Sequence, residues 1–358
     1  MTHHDTLQEL LADPRVGKNP QLWTVFREGR LPEGWPLLSF VTVPGMITAD
    51  GEDHRRLRGL VTQALTPSRV DALRPAVEAR AADLLDRISA LPEREFDLRR
   101  RFAYPLPMQV IGELLGLPAK QQDELHDLSD VLVSSAATPE SAVAAQQALF
   151  TLLASVVAAK RAEPGDDLTT DLIAAREDDD RLTEPELVGT LLLTLVAGHE
   201  TTLNLITNAV RALLSHPDQL RLVLAGEASW SAVVEETLRY DSPVGQFPLR
   251  YATEDIPVGD TVIRRGDALL ASYAAAGRDG GHYPEADRFD LTRPENRHLS
   301  FGHGPHFCLG SGLARLEAET ALRLLFERFP ALALAEGEAP EPIRSFVSNG
   351  VRTLRVTV

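Results

Sequence analysis

Phe301-Gly302-His303-Gly304-Pro305-His306-Phe307-Cys308-Leu309-Gly310 runs almost directly into Leu313-Ala314-Arg315-Leu316-Glu317-Ala318, a stretch with helical periodicity. Gly302 and Gly304 allow the loop a tight path with positive φ, which turns backbone amides inward toward a sulfur at Cys308. The cysteine also stands at a helix N-terminus, where the partial positive charge lowers a thiol pKa. Gly310 has no side chain to keep a flat ligand off the backbone. Cys308 is the only cysteine in the chain, so an internal disulfide is excluded and its role rests on thiol chemistry or on packing. A lone cysteine by itself reads as a small buried hydrophobe. Set in this ten-residue loop, it reads as a stabilised thiolate.

Outward from the loop, the chain reads as mainly α with small β-sheets. Apolar residues recur at helical spacing over 66–91, 104–115 and 141–161. Thr66-Pro67 supplies a capping hydroxyl and a proline suited to the first helical turn. Thr183-Glu184-Pro185-Glu186 is a capping box from which a helix runs through Leu191, Leu195 and Ile206 to Ser215-His216-Pro217. At 1.5 Å per residue that helix spans on the order of 45 Å. Strand-like sequence is confined to 256–263, with a turn at Gly259-Asp260, and to 351–358. Residues 277–299, rich in Gly, Pro and Asp, read as an ordered meander leading to the cysteine. With no repeat and no low-complexity linker, one domain over 1–358 is expected.

Composition narrows the partners. Lys and Arg number 36 against 52 Asp and Glu, a net charge of −16, which argues against nucleic acid because phosphate binding needs a basic face. Hydrophobic residues at 44% and charged residues at 25% are the proportions of a folded globular protein. The lysines are only Lys18, Lys120 and Lys160, and the abundance of Ala, Arg, Leu and Asp suggests a GC-rich bacterial genome. No uninterrupted apolar run approaches the ~18–20 residues of a membrane span. Met1-Thr2-His3-His4-Asp5 lacks the basic-then-apolar pattern of a secretory signal, so a cytoplasmic location without a membrane partner is expected.

The loop resembles the haem loop of the cytochrome P-450 family, Phe-Gly-x-Gly-x-His-x-Cys-x-Gly, with every fixed position present. Further segments match in order over nearly all of the chain. The resemblance implies the cytochrome P-450 fold and haem b, with Cys308 as the thiolate ligand of the iron and Ala197, Phe301, Gly302 and Gly310 beside the cofactor. In Ala197-Gly198-His199-Glu200-Thr201-Thr202 it places the oxygen-activating acid and alcohol at Glu200 and Thr201. A hydroxyl at Thr201 can bond the carbonyl of Ala197, and Gly198 leaves the helix able to open into a notch; the blander reading is a threonine bonding its own backbone. His199 is expected to face away from the iron and to be structural.

Asp53-His54-Arg55-Arg56-Leu57-Arg58 puts His54 and Arg58 on one helical face. By resemblance these two, with Arg250 and His306, hold the haem propionates. Glu235-Glu236-Thr237-Leu238-Arg239 puts Glu236 and Arg239 at i, i+3. This matches the family's buried Glu-x-x-Arg, which ties to a meander arginine, expected to be Arg288, and shapes the haem pocket.

The implied activity is monooxygenation in bacterial secondary metabolism: one atom of O2 enters a hydrophobic small molecule by C–H hydroxylation or epoxidation. Ferredoxin and ferredoxin reductase are the implied electron donors, with Arg55 and Arg56 in a docking patch. The alternatives are a haem-binding carrier or sensor without catalysis, or a peroxygenase or isomerase; the Glu200–Thr201 pair weighs against the last two. By analogy the substrate pocket draws on the Trp35–Val43 loop, Leu192, Val196, Val244, Phe247, Phe346 and Val347, an apolar set. Residues 5–14 resemble the family's second helix, so its first helix and first strands are expected to be absent. Segments near Arg250 and over 269–273 would then present a bare edge.

Overall fold

Thr183 opens the longest helix as its capping box predicts. Its side chain accepts the N–H of Glu186, and the Glu186 carboxylate accepts the N–H of Thr183 at 2.8 Å. In the computed structural model, which describes residues 1–358 apart from 34, 36, 135, 136, 175–181, 249, 295 and 338, this helix covers Glu184–Ser215, 32 residues or about 48 Å. Apolar on nearly every side, it is buried and feeds two cores. Leu187, Leu191, Leu192 and Leu195 pack with Met108, Ile111, Leu149 and Leu153. Leu203, Ile206, Val210 and Leu213 pack with Leu85, Leu238, Leu322 and Phe326. Residues 197–202 lie between the two clusters and belong to neither, and these are the residues that the sequence marks for chemistry.

The other helices follow their punctuation. The single helix expected over 66–91 is two, Pro67–Ala72 capped by Thr66 and then Arg74–Ser89. Pro75 lies in the first turn of the second, and its ring and missing N–H bar continuation from the first. The 104–115 pattern forms Pro105–Leu114, but a π-turn over Arg99–Ala103 precedes it, closed by the Tyr104 N–H on the Arg99 carbonyl at 2.8 Å. The 141–161 pattern begins earlier, as Pro139–Ala162 capped by Thr138. By length and composition that helix is apolar enough to cross a membrane. It packs instead on the helix Gln122–Val133 and on the long helix through Leu149, Leu153, Val156 and Val157.

The sheets are small. Strands β1 (Val16–Gly17) and β3 (Tyr251–Ala252) pair antiparallel; β2 (Glu95–Asp97), β7 (Arg355–Thr357) and β6 (Ala333–Leu334) form a three-stranded sheet in that order. The predicted hairpin is β4 (Ile256–Val258) and β5 (Thr261–Ile263), turning at Gly259 with φ 54°. The bare edge expected near Arg250 and 269–273 is filled from within the chain. Phe247 bridges Ala271 and Tyr251 bridges Ala268, while the Met1 backbone hydrogen-bonds Leu270 and Ser272.

Candidate active site

The cysteine loop is built by its glycines. Gly302 and Gly304 adopt φ of 74° and 73°, a region that a side chain would strain. The Cys308 N–H donates to the Phe301 carbonyl at 2.8 Å and the Phe307 N–H to the Gly304 carbonyl at 3.0 Å. Helix Ser311–Arg328 follows. Its Arg315 stacks over the Phe301 ring at 4.5 Å and grips Glu235 at 2.6 and 3.0 Å, so the loop is clamped to helix Trp230–Tyr240. A Cβ added at Gly310 would meet nothing within 4 Å, which leaves the flat face anticipated there.

The thiol itself departs from expectation. Burial pushes its pKa up; the Gly310 amide and the charges of Arg58 and Arg315 pull it down but do not win. Cys308 nonetheless has accessible surface. The two facts agree if that surface faces a recess walled by protein, where water solvates a thiolate poorly. A metal ion bound to the sulfur reverses the balance, because coordination deprotonates a thiol outright.

On the long helix, the Thr201 hydroxyl donates to the Ala197 carbonyl at 2.6 Å, and Ala197 is exposed although it sits mid-helix between half-buried neighbours. The stretch belongs to the helix throughout. A Cβ at Gly198 would come within 2.8 Å of Ile111 Cδ1; the glycine serves close packing of helix Pro105–Leu114. Glu200 is buried, and its Oε1 accepts from Asn204 at 2.9 Å and lies 3.4 Å from Arg99, while Oε2 has no partner. Burial first, and then the charge of Asp130, raises its pKa against the lowering effect of Arg99.

The cations expected for two carboxylates do converge. His54 and His306 lie 4.0 Å apart, ring centre to ring centre. The Nε2 of His54 and the Nε of Arg250 are buried without a hydrogen-bond partner. Arg58 donates to the Phe307 carbonyl at 2.8 Å, at the cysteine loop. Sequence reasoning missed a further member, Lys18. It is only 2% exposed, its Nζ lies 4.9 Å over the Phe247 ring, and its backbone N–H is held by Asp50 at 2.8 Å. Desolvation, and then the charge of Lys18, drive the pKa of His306 down to about 2. Lys18 itself is pushed well below the lysine range by burial and then by Arg250. Nothing in Val16-Gly17-Lys18-Asn19-Pro20 announces this, because tertiary folding alone buries it. A buried cluster of cations with unused donors fits a dianionic group such as haem with its two propionates.

Glu236 and Arg239 form the buried pair, at 2.8 and 2.7 Å. The meander arginine that joins them is Arg293, not Arg288: its Nε lies 3.2 Å from Glu236 Oε1, and Asn296 and the Asp290 N–H also donate to that carboxylate. Arg288 contributes its backbone carbonyl, which accepts from Arg239 at 2.8 Å, while its exposed guanidinium pairs with Glu285. Arg56, considered for a docking patch, instead holds Glu186 at 2.6 Å at the start of the long helix.

Of the pocket residues, Val244 and Val347 come together through the Val244–Ser348 bridge and the Gly245 N–H on the Val347 carbonyl. Phe346 is half-buried beside them, and Phe247 packs toward Val41 and Tyr251. Leu192 does not join; it is 3% exposed within the apolar core, with Val196 at that core's edge. In the Trp35–Val43 segment, residues 38–42 form a short helix and residue 36 lies outside the described residues.

Residues 230–355 match the family profile described as Cytochrome P-450. Cytochrome P-450 107B1 of Saccharopolyspora erythraea is 42% identical, over 99% of this chain and 88% of that protein. The 2-hydroxy-5-methyl-1-naphthoate 7-hydroxylase of Streptomyces carzinostaticus is 41% identical, over 98% of this chain and 86% of its own length. Among solved structures, testosterone-bound CYP154C4 from a Streptomyces species matches with a TM-score of 0.96 at 47% identity, covering 100% of this chain and 89% of the other.

Proposed function

The chain belongs to the cytochrome P-450 family of haem-thiolate monooxygenases, whose cofactor is haem b, and from that premise we propose how its residues divide the work. Cys308 is the thiolate ligand of the iron, and the enzyme inserts one atom of O2 into a hydrophobic small molecule of bacterial secondary metabolism. The observation that carries this assignment is the convergence of Lys18, His54, Arg250 and His306, in which the Nε2 of His54 and the Nε of Arg250 are buried without a hydrogen-bond partner. When bound, the haem supplies the dioxygen chemistry. The protein does the rest. The Gly310 amide holds the sulfur, His54 and Arg250 donate to the propionates, and Val244, Phe247 and Val347 wall the substrate and exclude water.

Thr201 and Glu200 hold and deliver protons, which favours a monooxygenase over a peroxygenase. Burial keeps the Glu200 carboxyl protonated to a higher pH than usual, and its unpartnered Oε2 is the atom available to donate. A naphthoate hydroxylase and a testosterone complex among the relatives support a rigid polycyclic molecule as the substrate class. Electrons come from a ferredoxin and its reductase in the cytoplasm. Turnover of testosterone as a probe under isotopically labelled dioxygen, with surrogate redox partners, tests this. One labelled oxygen in the product is the result anticipated, and product oxygen drawn from water or added peroxide contradicts it.

A further inference from the structure

His199 leaves the long helix two residues before Thr201, about 200° around the axis at 3.6 residues per turn, and so points away from the cysteine side. It is 1% exposed, and neither ring nitrogen has a hydrogen-bond partner. It meets His126 edge-on at 4.9 Å and Tyr104 at 5.4 Å. The Nδ1 of His126 is likewise buried and unpartnered, as is Glu200 Oε2. An unsatisfied buried polar atom costs about 1–3 kcal/mol, and native interiors offset such costs with ordered water. Orphan atoms on three residues so close together therefore mark a hydrated tract.

The tract has an outer and an inner end. Outward, His126 Nε2 lies 3.5 Å from Asp130 Oδ2, and Asp130 lines a surface cleft of about 290 Å³ with Val131, Ser134, Ala137 and Ser141. Inward, the π-turn Arg99–Ala103 adds a residue to the helical path and aims Arg99 at Asn204, 2.6 Å away, and at Glu200 Oε1. Arg99 and Asn204 thus occupy Oε1 and leave Oε2 to the tract. Burial raises the pKa of Asp130 as well as that of Glu200, and the Arg99 charge opposes both shifts. Asp123 and Asp127 also act on His126, and the Tyr104 hydroxyl is committed outward to Asp123 at 2.8 Å.

We infer that Glu200 is reprotonated from this side, by a route running from the cleft at Asp130 through His126 and the water held between His126, His199 and Glu200. Each proton that leaves Oε2 toward Thr201 is replaced by one released from His126 Nδ1. His126 regains a proton on Nε2 from Asp130, which takes one in turn from cleft water, and a flip of the ring exchanges its two nitrogens before the next transfer, so no net charge is stored. His199 stays neutral, since burial holds its pKa well below the usual histidine range; it is a positioning residue for the water.

The inference rests on the reading of Glu200 as proton donor, and the test separates the two. Asp130→Asn, His126→Ala and Glu200→Gln holoenzymes are driven by surrogate ferredoxin, reductase and NADPH. The readouts, taken during turnover of the testosterone probe, are the fraction of electrons recovered as hydrogen peroxide and the solvent deuterium isotope effect on NADPH consumption. The route predicts that all three variants raise both readouts several-fold while the ferrous carbon monoxide spectrum is unchanged. Wild-type values for Asp130→Asn and His126→Ala, beside a changed Glu200→Gln, overturn the route alone. Wild-type values in Glu200→Gln overturn the role of Glu200 on which it stands.

Discussion

The imidazole of His54 faces that of His306 at 4.0 Å, although the two come from a helix near the start of the chain and the loop before Cys308. Both pKa values are lowered, chiefly by burial, so near neutral pH both rings are neutral and leave the positive charge to the guanidinium groups of Arg250 and Arg58.

Lys18→Met should separate haem binding from folding. A lysine with a depressed folded pKa destabilises the fold wherever the unfolded chain carries it protonated, that is, below roughly pH 10. Burial depresses Lys18, so the haem-free variant should melt higher than wild type at pH 7. A hydrogen bond to a charged group contributes about 1.5–3 kcal/mol, so haemin affinity should fall roughly tenfold to a hundredfold. Thermal melts and haemin titration of the apoprotein measure the two effects.

Arg293→Ala and Arg288→Ala should part company. The first leaves the buried Glu236 carboxylate without one of its cations, and breaking a buried pair costs about 3–5 kcal/mol. The second removes an exposed pair with Glu285, worth about 0–1 kcal/mol. Urea unfolding followed through the haem band compares them; equal losses would refute the assignment of Arg293.

Glu235 should contribute to the acid limb of stability. Burial raises its pKa, but hydrogen bonds from His298 and Arg315 outweigh that and leave it at about 2. A carboxyl lowered in the folded state stabilises above its unfolded pKa, and that contribution is lost as pH falls from roughly 4.5 to about 2. Glu235→Gln should flatten the stability profile in that window, measured by acid unfolding. It should also loosen the hold of Arg315 on Phe301.

Thr201→Ala removes the hydroxyl bound to the Ala197 carbonyl. Product formed per NADPH should drop and peroxide release should rise, while Thr201→Ser keeps the oxygen and should retain most of the coupling. Full coupling in Thr201→Ala would remove Thr201 from the proton path.

The contiguous elements were the legible ones. Ten consecutive residues around Cys308 and the Thr183 capping box are local chemistry, and both fold as they read. What failed to show was set by tertiary contact. Arg288, Arg293 and Arg297 all lie in one aperiodic meander, and only the fold selects Arg293 for Glu236. Lys18 follows a two-residue strand, with no pattern to signal burial. Arg99 reaches Glu200 because one added residue in a π-turn shifts the helical phase, which periodicity alone cannot foresee. Leu192 shares the helix of Thr201 but packs into the core, because apolarity alone does not distinguish a pocket wall from an interior.

The central claim is that Cys308 binds haem iron as a thiolate. The absorption spectrum of the purified chain, reduced with dithionite and exposed to carbon monoxide, tests it most directly. A thiolate ligand gives a strongly red-shifted Soret band that disappears in Cys308→Ser. An unshifted band, or a folded protein that takes up no haem, would contradict it.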